Sequence, residues 1–398
     1  PQLAQAPPQN YGGGGGGGGG SAPGAFGGPL VGAPGGPRLP PGQAIATPVP
    51  LGPNAPKWVE DGDSERCTAC MLKFDWKRRR HHCRGCGRLF CDECSAQKLM
   101  LPASWGKKDP ARVCNACAIE LGPQQQALIS TNTNALRENR IQQDGARRYM
   151  NRPLNFTLGG EVRKASHTIL NLMSGVEAVV EDHSIVEDLL RNAQGLLFIT
   201  VAKMAFIGGI RVGTGLLVTR ANTSRGWSAP CAVGSWGLSF GAEVGLETSD
   251  MIIPICSAKS LSHFTRGGGH MMMGGEAGLA LGPVGRTITR EVSASGAGTS
   301  STKGYSHSKG IYGGIALQGA YVKVRKDVNQ KFYGYDITPA QLLSGHTPVP
   351  PAAKSLYDAL DEYSAWVTGI NVMRRASEAA GPAAPTSSTT GGAADAAV

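Results

Sequence analysis

The chain has 398 residues, with 39 Lys and Arg against 29 Asp and Glu, a formal net charge of +10, and 57 glycines. That length suits two or three folded units, and the basic excess points to an anionic partner: a membrane surface, nucleic acid or an acidic protein. The longest apolar run, Gly195 to Ile210, is broken by Lys203 and is short for a membrane-spanning helix, so it reads as buried core; no secretory leader pattern is present.

Residues 1–55 are low complexity, with nine consecutive glycines (Gly12 to Gly20), many prolines and almost no charge. Such a segment buries too little apolar surface to offset its ordering entropy and is predicted to be a disordered tail.

Residues 57–122 hold eight of the ten cysteines as four Cys-x-x-Cys pairs, Cys67/Cys70, Cys83/Cys86, Cys91/Cys94 and Cys114/Cys117, separated by 12, 4 and 19 residues. Two intervening residues suit a turn that aims both sulfurs at one metal, and eight thiolates complete two tetrahedral zinc sites. With eight ligands in this order the usual topology is a cross-brace. Pairs one and three (Cys67, Cys70, Cys91, Cys94) share one zinc, and pairs two and four (Cys83, Cys86, Cys114, Cys117) share the other. All positions on both metals are then filled, so the two zinc ions are structural and supply most of the folding energy of so short a segment. The remaining cysteines, Cys231 and Cys256, read as reduced core residues, a usage that fits a cytosolic compartment.

From Lys77 to Arg88 there are six Lys or Arg, two histidines and no acid. Cys83 ties this run to a metal, which makes its backbone rigid, and preorganised guanidinium groups suit phosphate through bidentate hydrogen bonds.

These residues resemble a FYVE finger, a reader of phosphatidylinositol 3-phosphate. The WxxD element is Trp58-Val59-Glu60-Asp61, the R+HHC+xCG element is Arg79-Arg80-His81-His82-Cys83-Arg84-Gly85-Cys86-Gly87, and the RVC element is Arg112-Val113-Cys114. The resemblance implies that Arg84 and Arg112 hold the 3-phosphate, that Arg79 and Arg80 support phosphate contacts, that Asp61 and His82 read ring hydroxyls and that His81 adds charge. It also implies a membrane-inserting loop, here Phe74-Asp75-Trp76-Lys77-Arg78. Phe74, Trp76 and Lys77 are its candidate contacts, and Trp76 suits an interface because its ring is apolar while its N–H stays wet. Arg78 stands where the family commonly has an apolar residue. Two histidines beside a phosphate lead to the expectation that binding strengthens as pH falls through about 6.5.

Residues 123–152 read as a basic linker or helix, and residues 153–368 as a second domain. It opens with Leu158, Val162, Ala165, Ile169, Leu172 and Val176 at helical spacing, and Ser184 with Glu187 marks a second helix start. Eight short runs follow, punctuated by glycine: Leu196–Val201, Thr214–Thr219, Ala232–Phe240, Met251–Ile255, Gly278–Leu281, Thr287–Val292, Gly310–Leu317 and Ala320–Arg325. Their spacing predicts a Gly-rich antiparallel barrel or sandwich flanked by helices, an α+β domain. A closing helix is predicted from Ala352 to about Met373 on Leu356, Leu360, Tyr363, Trp366 and Ile370, before a disordered tail over residues 374–398.

This second domain resembles a SYLF domain through Asn192-Ala193-Gln194-Gly195-Leu196, Gly226-Trp227-Ser228-Ala229-Pro230, Tyr305-Ser306-His307-Ser308-Lys309-Gly310 and Lys331-Phe332-Tyr333-Gly334. The tandem is similar to plant-type FYVE-SYLF endosomal proteins. The resemblance implies binding of phosphoinositide-containing membranes, with actin association in some members. The basic segment Arg137 to Lys164 suits either a bilayer surface or packing against the barrel. Tyr357-Asp358-Ala359-Leu360 matches the aromatic-x-x-aliphatic pattern of autophagy-adaptor ligands, and both outer residues also fall on the closing helix.

No nucleophile elbow, His-Glu-x-x-His or P-loop is present, so no enzyme is expected. The two resemblances together imply a peripheral adaptor on endosomal membranes that binds phosphatidylinositol 3-phosphate, in endosomal or autophagic traffic. Other phosphoinositides, actin and trafficking or autophagy proteins are further partners to test, and nucleic acid is not expected. One alternative is an actin-binding or bundling protein localised by its finger. A RING-type ubiquitin ligase is the other, but it expects a histidine among the eight ligands and leaves the Arg/His run unexplained.

Overall fold

A computed structural model describes residues 51–141, 151–174, 192–266, 269–295 and 298–380. The glycine-rich tail up to residue 50, Arg147, Arg148, Val176, the helix expected after Ser184 and the chain beyond residue 380 lie outside the described residues.

The first unit is held by metal-site turns more than by secondary structure. Strand β1 (His81–His82) pairs antiparallel with β2 (Leu89–Phe90), and β3 (Gln97–Leu99) with β4 (Ala111–Val113). Helices α1 (Asn115–Leu121) and α2 (Gln125–Asn132) follow. Its small core places Phe74, Leu89, Phe90, Leu101, Val113 and Leu121 around the cysteines. Strands of two and three residues cannot stand alone, so the metals carry the fold.

The second unit opens with α3 (Leu158–Ser174) and contains one antiparallel sheet in the order β5-β6-β8-β7. The strands are β5 (Gly195–Thr219), β6 (Cys231–Ile255), β7 (Gly269–Ser295) and β8 (Gly298–Val324), each 25 or 27 residues long. Short helices α4 (Ala258–Thr265), α5 (Lys326–Tyr333) and α6 (Pro339–Leu343) and the long α7 (Lys354–Ala380) complete it.

The eight expected runs are therefore halves of four strands. A 25-residue strand drawn straight would span about 80 Å, yet Leu196, Phe198, Leu216 and Val218, from opposite ends of β5, share one core. The strand folds back on itself. Gly213 and Gly215 in its second half lie so close to its first half that a β-carbon would meet the Thr200 and Phe198 carbonyl oxygens at 2.3 and 1.8 Å. The bend is a bulge between Phe206 and Gly208, where Ile207 takes φ 64°.

Near the bend the usual polarity reverses. Lys203, Arg211, Ser239, Glu243 and Glu247 are buried, while Met204, Phe206, Ile210, Leu238 and Phe240 are exposed. In β5 and β6 this reversal explains why residues 202–213 and 241–250 did not read as strand. It also corrects the assignment of Gly195 to Ile210 as buried core: only its first part is buried. Among the described residues no helix is long and apolar enough to cross a membrane.

The core sits at the strand ends, between α3 and α7. Leu158, Val162, Ala165, Ile169 and Leu172 of α3 are all buried there, so this face packs on the sheet and is not open to a bilayer. Lys164, part of the basic segment, is buried and pairs with Glu161 at 2.8 Å. Tyr357 and Leu360 are buried too, and the Tyr357 hydroxyl donates to the Ser228 carbonyl at 2.6 Å, so the adaptor-like motif is core. Cys231 is buried as expected, but Cys256 is exposed, a correction. Helix α7 runs to Ala380, so residues 374–380 are helical where a tail was expected.

Candidate zinc centres and phosphate-binding face

The cysteines gather as two quartets, Cys67, Cys70, Cys91 and Cys94, and Cys83, Cys86, Cys114 and Cys117, with the sulfurs of each within 4.8 Å of one another. Tetrahedral zinc with Zn–S bonds near 2.3 Å sets sulfurs about 3.8 Å apart; Cys70 and Cys91 stand at 3.9 Å. The donor set is thiolate only, closed and largely buried, which fits two structural zinc ions. Among the described residues no other histidine, cysteine or carboxylate cluster has this geometry.

Backbone N–H groups orient the sulfurs, as metal ligands require. Cys114 N and Gly85 N donate to Cys83 Sγ at 3.1 and 3.3 Å, and Cys91 N to Cys67 Sγ at 3.3 Å. Cys114 caps α1 by accepting from Cys117 N. Two glycines are obligatory. A β-carbon at Gly85 would sit 2.9 Å from Cys117, and Gly87, at φ +76°, would press one to 2.0 Å from the Lys57 carbonyl oxygen. Gly87 accepts from Val59 N at 3.0 Å, which anchors the WxxD segment against the basic run.

That anchoring builds a polar face in two groups, because the adjacent strand residues His81 and His82 point to opposite sides. On one side, His82 stacks on Trp58 with centroids 4.5 Å apart, bonds the Val59 carbonyl at 2.7 Å and lies 3.7 Å from Asp61. Arg84 lies 4.8 Å over the other part of this cluster, the Trp58 ring, and donates to the His82 carbonyl. On the other side, Arg112 donates to Asp92 at 2.7 Å and to the Ser95 carbonyl at 2.9 Å, and His81 lies 3.8 Å from Asp92. The two sides meet through the backbone, where Arg84 N donates to the Arg112 carbonyl at 2.9 Å. Partial burial, with Arg112 beside it, lowers the His81 pKa below its usual 6.5, so this ring is mostly neutral at pH 6.5.

Of the remaining basic residues, Arg79 is exposed, and Arg80 packs 5.1 Å over Phe74 while donating to the Ser64 carbonyl. Phe74 is buried in the finger core, so it is not a membrane contact; this corrects the expectation. Trp76 is 80% exposed, with the Lys77 ammonium 4.9 Å from its ring. Asp75 accepts from Lys77 N and Arg78 N at 2.8 and 2.6 Å, which shapes the loop that presents Trp76. Arg78 is occupied by Glu93 at 3.3 Å.

Sequence reasoning missed three participants. Trp58 forms the floor between His82 and Arg84, and its place in the WxxD element was the available signal. Asp92, between the third cysteine pair, occupies Arg112. Lys98 stands opposite Arg112 in the β3–β4 register and adds a cation.

Comparison with known proteins now assigns both units. Residues 57–122 match the FYVE zinc finger model, and residues 236–363 match the model described as Ysc84, Las17-binding protein actin regulator. The chain carries a FYVE zinc finger and a Ysc84 (SYLF) domain. Protein YSC84 of Saccharomyces cerevisiae is 34% identical over 212 residues, which is 53% of this chain and 45% of that protein. SH3 domain-containing YSC84-like protein 1 of Homo sapiens is 33% identical over 215 residues, 54% of this chain and 62% of that protein. The chain thus spans about half the length of these relatives. Among solved structures, the LM5-1 FYVE domain of Leishmania major is 42% identical over 16% of this chain and 76% of that one, with a TM-score of 0.15.

The Ysc84 motifs turn out to hold the domain together. Gly226 takes φ 69° in the turn before Trp227, whose buried ring is covered by Arg220 at 4.0 Å. Tyr333 at the end of α5 donates to the Pro230 carbonyl at 2.7 Å, and Gly334 ends the helix at φ 89°. The side chains of Tyr305 to Lys309 are outside the described residues.

Proposed function

We propose that the chain is a non-enzymatic peripheral membrane adaptor whose FYVE finger binds phosphatidylinositol 3-phosphate on endosomal membranes from the cytoplasmic side. The observation that carries this reading is the convergence of Arg84, His82, Asp61 and Trp58 on one side of a metal-locked strand, with Arg112 joined through the backbone. Guanidinium groups fixed in this way bind a phosphomonoester, and Asp61 and His82 supply groups for ring hydroxyls. Arg79 and Arg80 add positive charge, while His81, mostly neutral, offers a ring N–H in place of the charge the resemblance implied, and Trp76 with Lys77 meets the bilayer interface. The finger gives address and the Ysc84 domain gives a second contact, so two weak sites gain avidity by effective concentration. A part in endosomal or autophagic traffic follows from this placement.

The test is co-sedimentation of the whole chain with vesicles that contain phosphatidylinositol 3-phosphate, another phosphoinositide or neither. Selective binding that Arg84→Ala abolishes is the expected result; equal binding to all anionic vesicles, unaffected by Arg84→Ala, overturns it.

A second reading concerns actin. The matched family is described as a Las17-binding actin regulator, which supports a cytoskeletal partner for the Ysc84 domain. Filament co-sedimentation of the whole chain tests it, with pelleting expected only when filaments are present.

A further inference from the structure

The apolar bend of the β5–β6 hairpin is unexplained by the finger or by the Ysc84 core. Phe206, Ile207 and Phe240 are 78%, 76% and 68% exposed, and Ile210, Val244 and Leu246 stand exposed beside them. Residues 204–210 carry no charge, and residues 236–246 carry one, Glu243. That carboxylate is buried and paired with Lys203 at 2.7 Å, and it accepts from Ser239 Oγ at 2.5 Å. Every charge at the bend is therefore turned inward and the apolar side chains outward, the reverse of what water selects. Apolar patches of this size on a folded protein mark an interaction site. The outermost residue adds a second observation. Ile207 is β-branched and holds a left-handed conformation that such residues rarely adopt, and strain of this kind concentrates at functional sites.

The layers below the tip identify the partner. On the outer face of β6, Phe240 and Leu238 are followed by Trp236, whose ring lies 6.0 Å from Tyr321 of β8. Two residues further along β8 is Lys323, exposed, opposite Gly234. The order from the bend is aliphatic and Phe, then Trp and Tyr, then Lys. A leaflet presents the matching order of hydrocarbon, interface and phosphate. Phe240 to the level of Lys323 is six strand positions in the register, about 20 Å, against roughly 15 Å of hydrocarbon in one leaflet.

We propose that the β5–β6 bend is a membrane-inserting tip that enters one leaflet of an anionic bilayer, with Trp236 and Tyr321 at the interface and Lys323 toward lipid phosphate. The proposal rests on the membrane reading above for the surface, but it needs no head-group selectivity.

The experiment is vesicle flotation of the whole chain on phosphatidylcholine, phosphatidylcholine with phosphatidylserine, and phosphatidylcholine with phosphatidylinositol 3-phosphate. It compares wild type, Phe206→Ser with Phe240→Ser, Ile207→Gly and Lys323→Glu, each with and without Arg84→Ala. Ile207→Gly suits the left-handed backbone and keeps the fold testable. The tip predicts that phosphatidylserine vesicles still bind the Arg84→Ala chain. The double serine variant weakens that binding about tenfold, Ile207→Gly weakens it severalfold, and brominated acyl chains quench Trp236, scored as quenching lost in Trp236→Phe. If tip effects persist while selectivity for the 3-phosphate is absent, the finger reading fails and the tip stands. Unchanged binding and quenching in the tip variants overturn the tip and leave the finger reading intact. A change only in oligomeric state on serine substitution also overturns it, because the patch then joins copies of this chain.

Discussion

Arg112 reaches Asp92 at 2.7 Å, so the guanidinium expected to take a phosphate is already held by a carboxylate. Asp92 is well exposed and also lies near His81, so it both aims the cation and competes with an incoming anion. Replacing it with asparagine keeps a polar partner but removes the charge. Asp92→Asn is expected to raise affinity for all anionic vesicles about threefold, the scale of an exposed ion pair, while narrowing the preference for phosphatidylinositol 3-phosphate. Titration against three vesicle compositions checks both parts.

The two aromatics of the 74–78 loop separate cleanly. Trp76→Ala is expected to weaken vesicle binding about tenfold with unchanged zinc content, because its ring is largely exposed and lies beside the Lys77 ammonium, outside the finger core. Phe74→Ala is expected to destabilise the finger by about 3 kcal/mol, since that ring is buried against the metal-site core. Zinc content and thermal melting distinguish the two outcomes.

Zinc removal is a test of the first unit alone. Chelation is expected to release two zinc ions per chain and unfold residues 57–122, whereas the β-sheet circular dichroism of the Ysc84 domain persists. Gly85→Ala is expected to weaken the second centre selectively, because the added methyl meets Cys117 at 2.9 Å. Metal analysis that finds two tightly held ions in Gly85→Ala contradicts this.

Glu161 and Lys164 form a buried pair at 2.8 Å, and Lys164 also donates to the Thr214 carbonyl at 2.8 Å, tying α3 to β5. Glu161→Ala leaves that ammonium unpaired and is expected to cost about 3 kcal/mol or more, whereas the volume-matched pair Glu161→Leu with Lys164→Met is expected to cost far less. Urea unfolding of the single and double variants measures the difference.

Alkaline stability follows from burial. Burial raises Tyr333 and Tyr357 above their usual 10.0 and pushes Cys231 up to about 12 from 9.0. All three stay protonated in the fold while the unfolded chain ionises, so their stability is complete below about pH 8, where the unfolded thiol begins to ionise, and is lost as pH rises through the tyrosine range. Melting temperature is expected to fall steeply from pH 9 to 11, and Tyr357→Phe, although it loses the bond to Ser228 at about 1 kcal/mol, is expected to flatten that fall.

Sequence alone determined the zinc chemistry and the kind of domain, because both rest on local patterns. Cys-x-x-Cys spacing encodes a chelating turn, the Arg/His run encodes a cationic face, and the period of α3 encodes the side it buries. Proximity across the chain was decided only in three dimensions. Asp92 reads as a loop acid until folding sets it against Arg112, and Phe74 reads like Trp76 until one ring is buried and the other exposed. The β strands show the limit most plainly. In β5 and β6 the ends are continuous apolar runs buried on both faces and were legible, but at the bend β5 doubles back and encloses Lys203 with Glu243. An apolar residue there faces outward, and alternation by itself carries no record of which face a fold will close.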